Sequence, residues 1–333
     1  MQLQRVHPPA VLRRVAGALL LLWLVLTITF ALIRLAPGDA AAFLVPPAAT
    51  AADIARIRAE LGLDQSIAVQ YARWASTLLR ADFGESFSLH RPVLSALRDA
   101  IPVSAGLGGV SLLLTFLVGV PIGVVQAICR GRAIDRVLTV MTTVVYAAPS
   151  FWLALALVAI FTYGAAAWGL PEAMRLPAFA LRTPGASLHG WPAAIDLARH
   201  AVLPVAILAA IGAAGIARYT RSSVADVLEQ DFVRTARAKG LAPSAVYFRH
   251  VLRTVLPALV VLFALALPGL VAGSIFVEQV FAWPGMGRLM VSAIVARDYP
   301  LVMGATAVYA ALVIFANLAG DLALPLVDPR RRA

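Results

Sequence analysis

The 333-residue chain has a single cysteine, a single lysine and few charges of either sign, 14% in all. Cys129, alone at the end of an apolar run, excludes a disulfide framework and any multi-cysteine metal site, and reads as a small packed side chain. Lys239 is followed by Gly240-Leu241, whereas a phosphate-cradling loop needs Ser or Thr after its lysine, so the chain has no P-loop of its own. No His-Glu-x-x-His or Gly-x-Ser-x-Gly pattern occurs, and His7, His90, His189, His200 and His250 are scattered among loops. Neither a catalytic site nor a metal centre is indicated. Six segments contain no Asp, Glu, Lys, Arg or His at all: 15–33, 104–128, 137–163, 201–217, 255–277 and 301–320. A carrier driven by a proton gradient generally keeps a titrating group inside a span. The absence of one weighs against an ion-gradient-driven secondary transporter, the alternative class of function for such a sequence.

Apolar residues make up 61% of the chain, with a mean hydropathy of +0.86, far above a soluble globular protein. Each of the six segments approaches or exceeds the ~20 residues that a spanning helix requires. The expected fold is therefore an all-α integral membrane protein with six transmembrane helices. A net charge of +11 could suggest nucleic acid, but its distribution follows topology. The amino-terminal tail carries three Arg and no acid, the 129–136 loop three basic residues to one acidic, the 218–254 loop seven to three, and the carboxyl tail three to two. The loops 34–103, 164–200 and 278–300 carry seven to seven, three to two and two to two. An excess of Lys and Arg marks the cytoplasmic side, which places both termini and the 218–254 loop inside. The 19-residue apolar core of the first segment exceeds a signal peptide's, so it is expected to be retained.

The 34–103 loop is long and charge-balanced. Ile54, Ile57, Leu61 and Leu63, then Val69, Trp74, Leu78 and Leu79, give short helical patterns broken at Gly62 and Gly84, which predicts a small external helical cap. Gly119, Pro121 and Gly123, and then Ala147-Ala148-Pro149-Ser150, interrupt helices at membrane depth, either as packing kinks or beside a wet cavity. Gly212-Ala213-Ala214-Gly215 permits close helix approach, with a subunit interface as one use. Pro284-Gly285 suits a type II turn with Trp283 at the interface, and Glu278 reads as a solvated rim carboxylate or as part of the external mouth of a pathway.

Between the fourth and fifth apolar segments lies Asp231-Phe232-Val233-Arg234-Thr235-Ala236-Arg237-Ala238-Lys239-Gly240-Leu241. Phe232, Ala236 and Lys239 recur at helical spacing, Gly240 suits a left-handed helix stop, and Pro243 discourages resumption. A short helix at the membrane face follows, either resting on lipid headgroups or docking a partner protein.

The wording of this segment, with Arg249-His250 and Leu256-Pro257, resembles the EAA loop of permease subunits of bacterial ABC importers, in the dipeptide, oligopeptide and nickel branch. Arg234 and Thr235 replace the Glu and first Ala of the general consensus, and Leu256-Pro257 lies four residues late, as in that branch. Arg34-Leu35-Ala36-Pro37-Gly38-Asp39, Glu60-Leu61-Gly62-Leu63-Asp64, Gln70-Tyr71, Ala81-Asp82-Phe83-Gly84-Glu85-Ser86, Val277 to Arg288 and Ala296 to Pro300 extend the resemblance to nearly the full length. It implies a type I importer permease in a bacterial inner membrane, with residues 1–103 as first helix plus periplasmic insertion and 104–333 as a five-helix core. It implies that Asp231, Phe232, Arg234, Thr235, Ala236, Arg237, Lys239, Gly240 and Leu241 form a coupling helix, between spans four and five, for a cytoplasmic ATPase. Pro149, Ser150, Phe151 and Glu278 become candidates for the translocation pathway. The implied partners are a second, related permease, two ABC ATPase subunits that hold ATP and Mg, an extracytoplasmic solute-binding protein, and membrane lipid, but no nucleic acid. This chain would bind no cofactor. Peptides, nickel chelates, glutathione and some sugars are carried by such relatives.

Overall fold

A computed structural model describes residues 8–35, 50–60, 62–267, 269–272 and 275–327. The chain divides into two compact units: the described residues up to Val103 with Gly285–Leu318, and Ser104–Pro284 with the described residues from Ala319 onward.

In the first unit, α1 (Pro8–Leu35) is apolar on all sides, with Leu26 and Phe30 buried and most of its leucines exposed, the pattern of a helix solvated by lipid. The insertion follows as α2 (Ala51–Glu60) and α3 (Ile67–Leu79). Thr50 and Asp53 exchange bonds across the first turn of α2, with the Thr50 amide donating to Asp53 Oδ2 (3.0 Å) and the Asp53 amide to Thr50 Oγ1 (3.3 Å). That reciprocal cap starts the helix. Gly62, at φ +66°, lets the Leu63 amide reach back to the Arg58 carbonyl (2.8 Å) and ends it. An aromatic cluster fastens α3 to α1: Tyr71 and Trp74 each lie 5.3 Å from the Phe30 ring, and the Tyr71 and Thr27 hydroxyls are 2.8 Å apart.

Past Gly84 (φ +71°), the insertion departs from the helical expectation. Glu85–Ser86 (β1) and Arg91–Pro92 (β2) pair as a two-residue antiparallel ladder. A distant carboxylate fastens this hairpin. Asp298, fully buried ahead of the last helix, accepts the Ser86 hydroxyl (2.6 Å) and both the amide (2.9 Å) and hydroxyl (2.7 Å) of Ser88, while its other oxygen caps that helix through the Leu301 amide (3.1 Å). Burial acts to raise the Asp298 carboxyl, but the Ser86 hydroxyl and the Ser88 and Leu301 donors together hold it below its ordinary 3.8. A depressed carboxyl stabilises the fold above its unfolded value and loses that contribution as pH falls through the folded one. Asp298→Ala strands two buried donors, the Ser86 hydroxyl and the Leu301 amide, while those of exposed Ser88 can turn to water, and is expected to cost about 2–4 kcal/mol. Thermal unfolding in detergent should show a lowered midpoint at pH 7, and the gap to the parent should narrow under strongly acidic conditions as the parent loses the charged share of these bonds.

The first turns of α4 (Val93–Ile128) pack Val93, Leu97 and Ala100 against Met286 and Ala293 of α12 (Met286–Val295) and Leu301 and Ala305 of α13 (Tyr299–Val327).

In the second unit α4 continues, followed by α5 (Ala133–Ala147), α6 (Ser150–Ala167), α7 (Gly190–Leu228), α8 (Asp231–Ala238), α9 (Pro243–Ala266), α10 (Gly269–Ala272) and α11 (Ile275–Val280). Helix α7 is the centre, packing against α5, α6, α9 and α11. Its 39 residues rise about 58 Å, nearly twice the hydrocarbon thickness, so it extends well past the 201–217 apolar core. Small residues let it approach α4. A Cβ on Gly119 would lie 2.8 Å from the Ala213 carbonyl oxygen, and one on Gly212 would strike Thr115. Gly212 and Ala213 are therefore used within the chain; Gly215 faces the Tyr146 ring.

The 137–163 apolar stretch is two helices, not one. Ala148 and Pro149 are extended (ψ 139° and 132°) because proline bars the helical region to the residue before it and offers no amide. The expected type II turn at Pro284-Gly285 is not formed, since Gly285 has φ −96° and caps α12. The left-handed residue is Ala282 (φ 52°), which ends α11 by letting the Trp283 amide reach the Glu278 carbonyl (2.9 Å). Trp283 is buried rather than interfacial.

Candidate functional site

Helix α8 is eight residues long with sharply divided faces. Val233 and Ala236, one turn apart, are buried in a cluster with Val224 and Val227 from the end of α7 and Val246, Val251 and Val255 from the start of α9. These two anchors fix the helix to the ends of both long neighbours. Asp231, Phe232, Arg234, Thr235, Arg237, Lys239, Gly240 and Leu241 are exposed; Phe232 retains 40% and Leu241 42% of its surface. Ala236, grouped with the outer face by spacing, lies on the inner one. The Arg234 guanidinium and Asp231 carboxylate meet at 3.3 Å on the exposed side, a contact worth a few tenths of a kcal/mol at most.

The helix ends as its glycine predicts. Gly240 has φ +75°, its amide donates to the Arg237 carbonyl (2.9 Å), and the Leu241 amide donates to the Ala236 carbonyl (3.4 Å). This paired closure aims Leu241 beside the exposed face. Pro243 then begins α9, where its missing amide is harmless, rather than blocking a helix.

Above α8, an ion pair invisible in the sequence ties α5 to α7. Arg221 Nε and Nη2 donate to the two oxygens of buried Asp135, each at 3.0 Å, and the Gly131 amide adds a third bond at 3.0 Å. The Arg221 donors, followed by Gly131, hold the Asp135 carboxyl below its usual range. Its partners are 86 residues apart. The only local signal is that Arg221 falls in the short stretch, opened by Arg218, that closes the 201–217 apolar run.

Pro149, Ser150 and Phe151 sit together at the start of α6, where the Phe151 ring lies 6.3 Å from Phe276 of α11. Glu278, also on α11, is not a solvated rim carboxylate. It is fully buried and accepts the Ser104 hydroxyl at 2.7 Å, because α11 packs against α6 and α7.

Two family models match this chain. Residues 119–333 match the binding-protein-dependent transport system inner membrane component, and residues 9–108 match the amino-terminal part of the same component. The chain belongs to this family. The permease is 36% identical over 97% of its length to a putative peptide transport system permease of Brucella abortus, covering 98% of that protein. It is 33% identical over 96% of its length to the oligopeptide transport system permease AppB of Bacillus subtilis, again covering 98%. Among solved structures, an inward-facing form of the MetNI methionine ABC transporter matches 71% of this chain and 97% of its own, at 19% identity and a TM-score of 0.50, a likeness of fold. This is thus a multi-pass inner-membrane permease subunit of an ABC importer, whose ATPase is a separate subunit and which works with a substrate-binding protein.

Proposed function

We propose that this permease forms half of a pathway for peptides or related small solutes and moves them by alternating access, with α8 as the docking helix for its ATPase. The exposed Phe232 on a helix clamped by Val233 and Ala236 carries the reading: a lipid-surface helix gains from mobility, whereas force transfer needs a rigid, aimed contact. The names of the relatives favour a peptide-like solute. Six spans are proposed, α1, α4, the broken α5/α6 pair, α7, α9 and α13; five helices among the described residues are long and apolar enough by themselves, and Tyr299–Phe315 is the shorter apolar part of α13. Six helices enclose a pathway poorly alone, so a second, related but different permease completes it. ATP and Mg reside on the two ATPase subunits. Pro149, Ser150 and Phe151 are proposed to face the pathway, with Glu278 holding α11 beside it.

The charge asymmetry supports cytoplasmic termini and a cytoplasmic α8. In a Cys129→Ala background, Ser76→Cys on exposed α3 should react with an impermeant thiol reagent added outside intact cells, and Ser244→Cys at the start of α9 should not. The reverse pattern inverts the topology. For the solute, uptake by the complete transporter supplied with its own binding protein should be saturable with a short peptide and absent without ATP; uptake of a non-peptide solute alone would overturn the peptide assignment.

A further inference from the structure

The first unit contains a cavity of about 600 Å³ that the transport reading does not use. It lies among the last turn of α1, helix α3, the β1 segment and the first turn of α13, and its size is that of sites for small organic ligands. Its chemistry is graded along α1. Phe30 and Ile33, the last apolar residues of the span to line it, form an apolar wall with Trp74 and Met303, and Arg34 follows at the end of the apolar run.

Arg34 is half-buried, with its guanidinium 5.3 Å from the centre of the Phe30 ring, and it has no carboxylate partner among the described residues. Arg73 lines the same cavity and rests against Gly62, again with no acid paired to it among the described residues. For half-buried Arg34 the lack of an anion is costly, whereas Arg73 is exposed and adds a second positive charge at the rim. One turn before Arg73 on α3, Gln70 spends its amide donors on the Leu63 and Gln65 carbonyls, while its buried Oε1 accepts nothing among the described residues. Asp82 and Glu85 on the strand side, with Asp82 already accepting the Gly84 amide, add acceptors, and His90 completes the polar rim. An occupant must thus bring an anionic group for the arginines, a donor for Gln70, and an apolar body for the Phe30 wall.

We propose that this cavity is a specific site for one membrane glycerophospholipid, with its phosphodiester on Arg34 and Arg73, its glycerol or amine headgroup toward Gln70 and the carboxylates, and an acyl chain along Phe30, Ile33 and Met303. Position selects the phosphate source. The end of a spanning helix stands at the headgroup layer, where lipid phosphate is the most concentrated anion. The proposal rests on α1 crossing the bilayer and not on which end is outside.

The test uses the complete transporter in nanodiscs that contain phosphatidylglycerol with a photoactivatable acyl chain, and in a parallel set diacylglycerol with the same chain. Cross-links should form at α3 around Trp74 with the phospholipid, and fall roughly tenfold both with diacylglycerol and in an Arg34→Gln, Arg73→Gln variant. Ile33→Trp, which fills the apolar wall and leaves both charges, should also displace the lipid. Labelling of Leu113 and Leu117 on exposed α4 serves as the folding control and should not change. Equal labelling by diacylglycerol, labelling indifferent to all three substitutions, or competition by inorganic phosphate or a short peptide each overturns the assignment. Loss of transport with the α3 cross-links intact would instead count against the transport reading alone.

Discussion

Gly123→Val should leave almost no folded permease to purify. A Cβ at this position would lie 2.5 Å from the Ala217 carbonyl oxygen and 2.6 Å from Thr220 Cβ, and both atoms belong to the buried side of α7. Neither is the free end of a flexible side chain. Relief would require α4 and α7 to separate, and separation would also open the contacts at Gly119 and Gly212. In a membrane this loss is felt fully, because lipid tails solvate apolar surface as well as another helix does and association depends on close packing. The cost should be about 3 kcal/mol or more, at the upper end for overpacked cores. Gly109→Val is the control, since nothing lies within 4 Å of a Cβ there. Yield and thermal midpoint in detergent should be near parental for Gly109→Val and collapse for Gly123→Val. Similar behaviour of the two would mean that the α4 and α7 contact does not hold the fold.

The contrast between those glycines marks what was legible in the sequence. The interruption expected at Gly119, Pro121 and Gly123 is not formed, since α4 runs unbroken through them and the two glycines serve a close approach to α7 instead; Gly62 and Gly240 did announce helix ends, because a left-handed residue leaves a local trace. Ala282 left none: it takes the same left-handed position with an ordinary side chain, so Pro284-Gly285 next to it attracted the turn assignment. Hydropathy located α7 only as its apolar middle, since the charged residues 218–228 are as compatible with helix as those before them. Boundaries by hydropathy mark the bilayer, not the helix. Bonds between distant residues were not legible at all. Ser86 and Asp298 are 212 positions apart and Asp135 and Arg221 are 86 apart, and each charged residue alone read as a loop charge. Glu278 failed for the same reason, because its Ser104 partner lies 174 residues earlier.

Gly240→Val and Phe232→Ala should each uncouple the transporter while leaving it in the membrane. The space around Gly240 is open, with nothing within 4 Å of a Cβ, so the effect of valine comes from the backbone alone. At φ +75° a β-branched residue pays about 1–3 kcal/mol, and the cheapest escape is to abandon the left-handed turn. The amide bonds of Gly240 and Leu241 to Arg237 and Ala236 would then be lost, and Leu241 would swing away from the exposed face. Gly240→Ala, strained less, should be intermediate. Phe232→Ala acts differently, since it removes an exposed aromatic anchor and leaves Val233 and Ala236 seated. If α8 docks the ATPase as proposed, truncating such an anchor should weaken docking by about 2 kcal/mol, roughly 30-fold. Arg237→Glu probes charge at the same exposed face, and its effect should shrink as salt is raised. For all four, insertion and yield should match the parent, because the buried clusters are untouched, whereas uptake and solute-stimulated ATP hydrolysis should fall together. The joint fall separates a docking defect from a pathway defect, in which ATP hydrolysis would persist as uptake failed. Parental transport in both Gly240→Val and Phe232→Ala would make α8 a helix that rests on lipid, and the ATPase would have to engage this permease elsewhere.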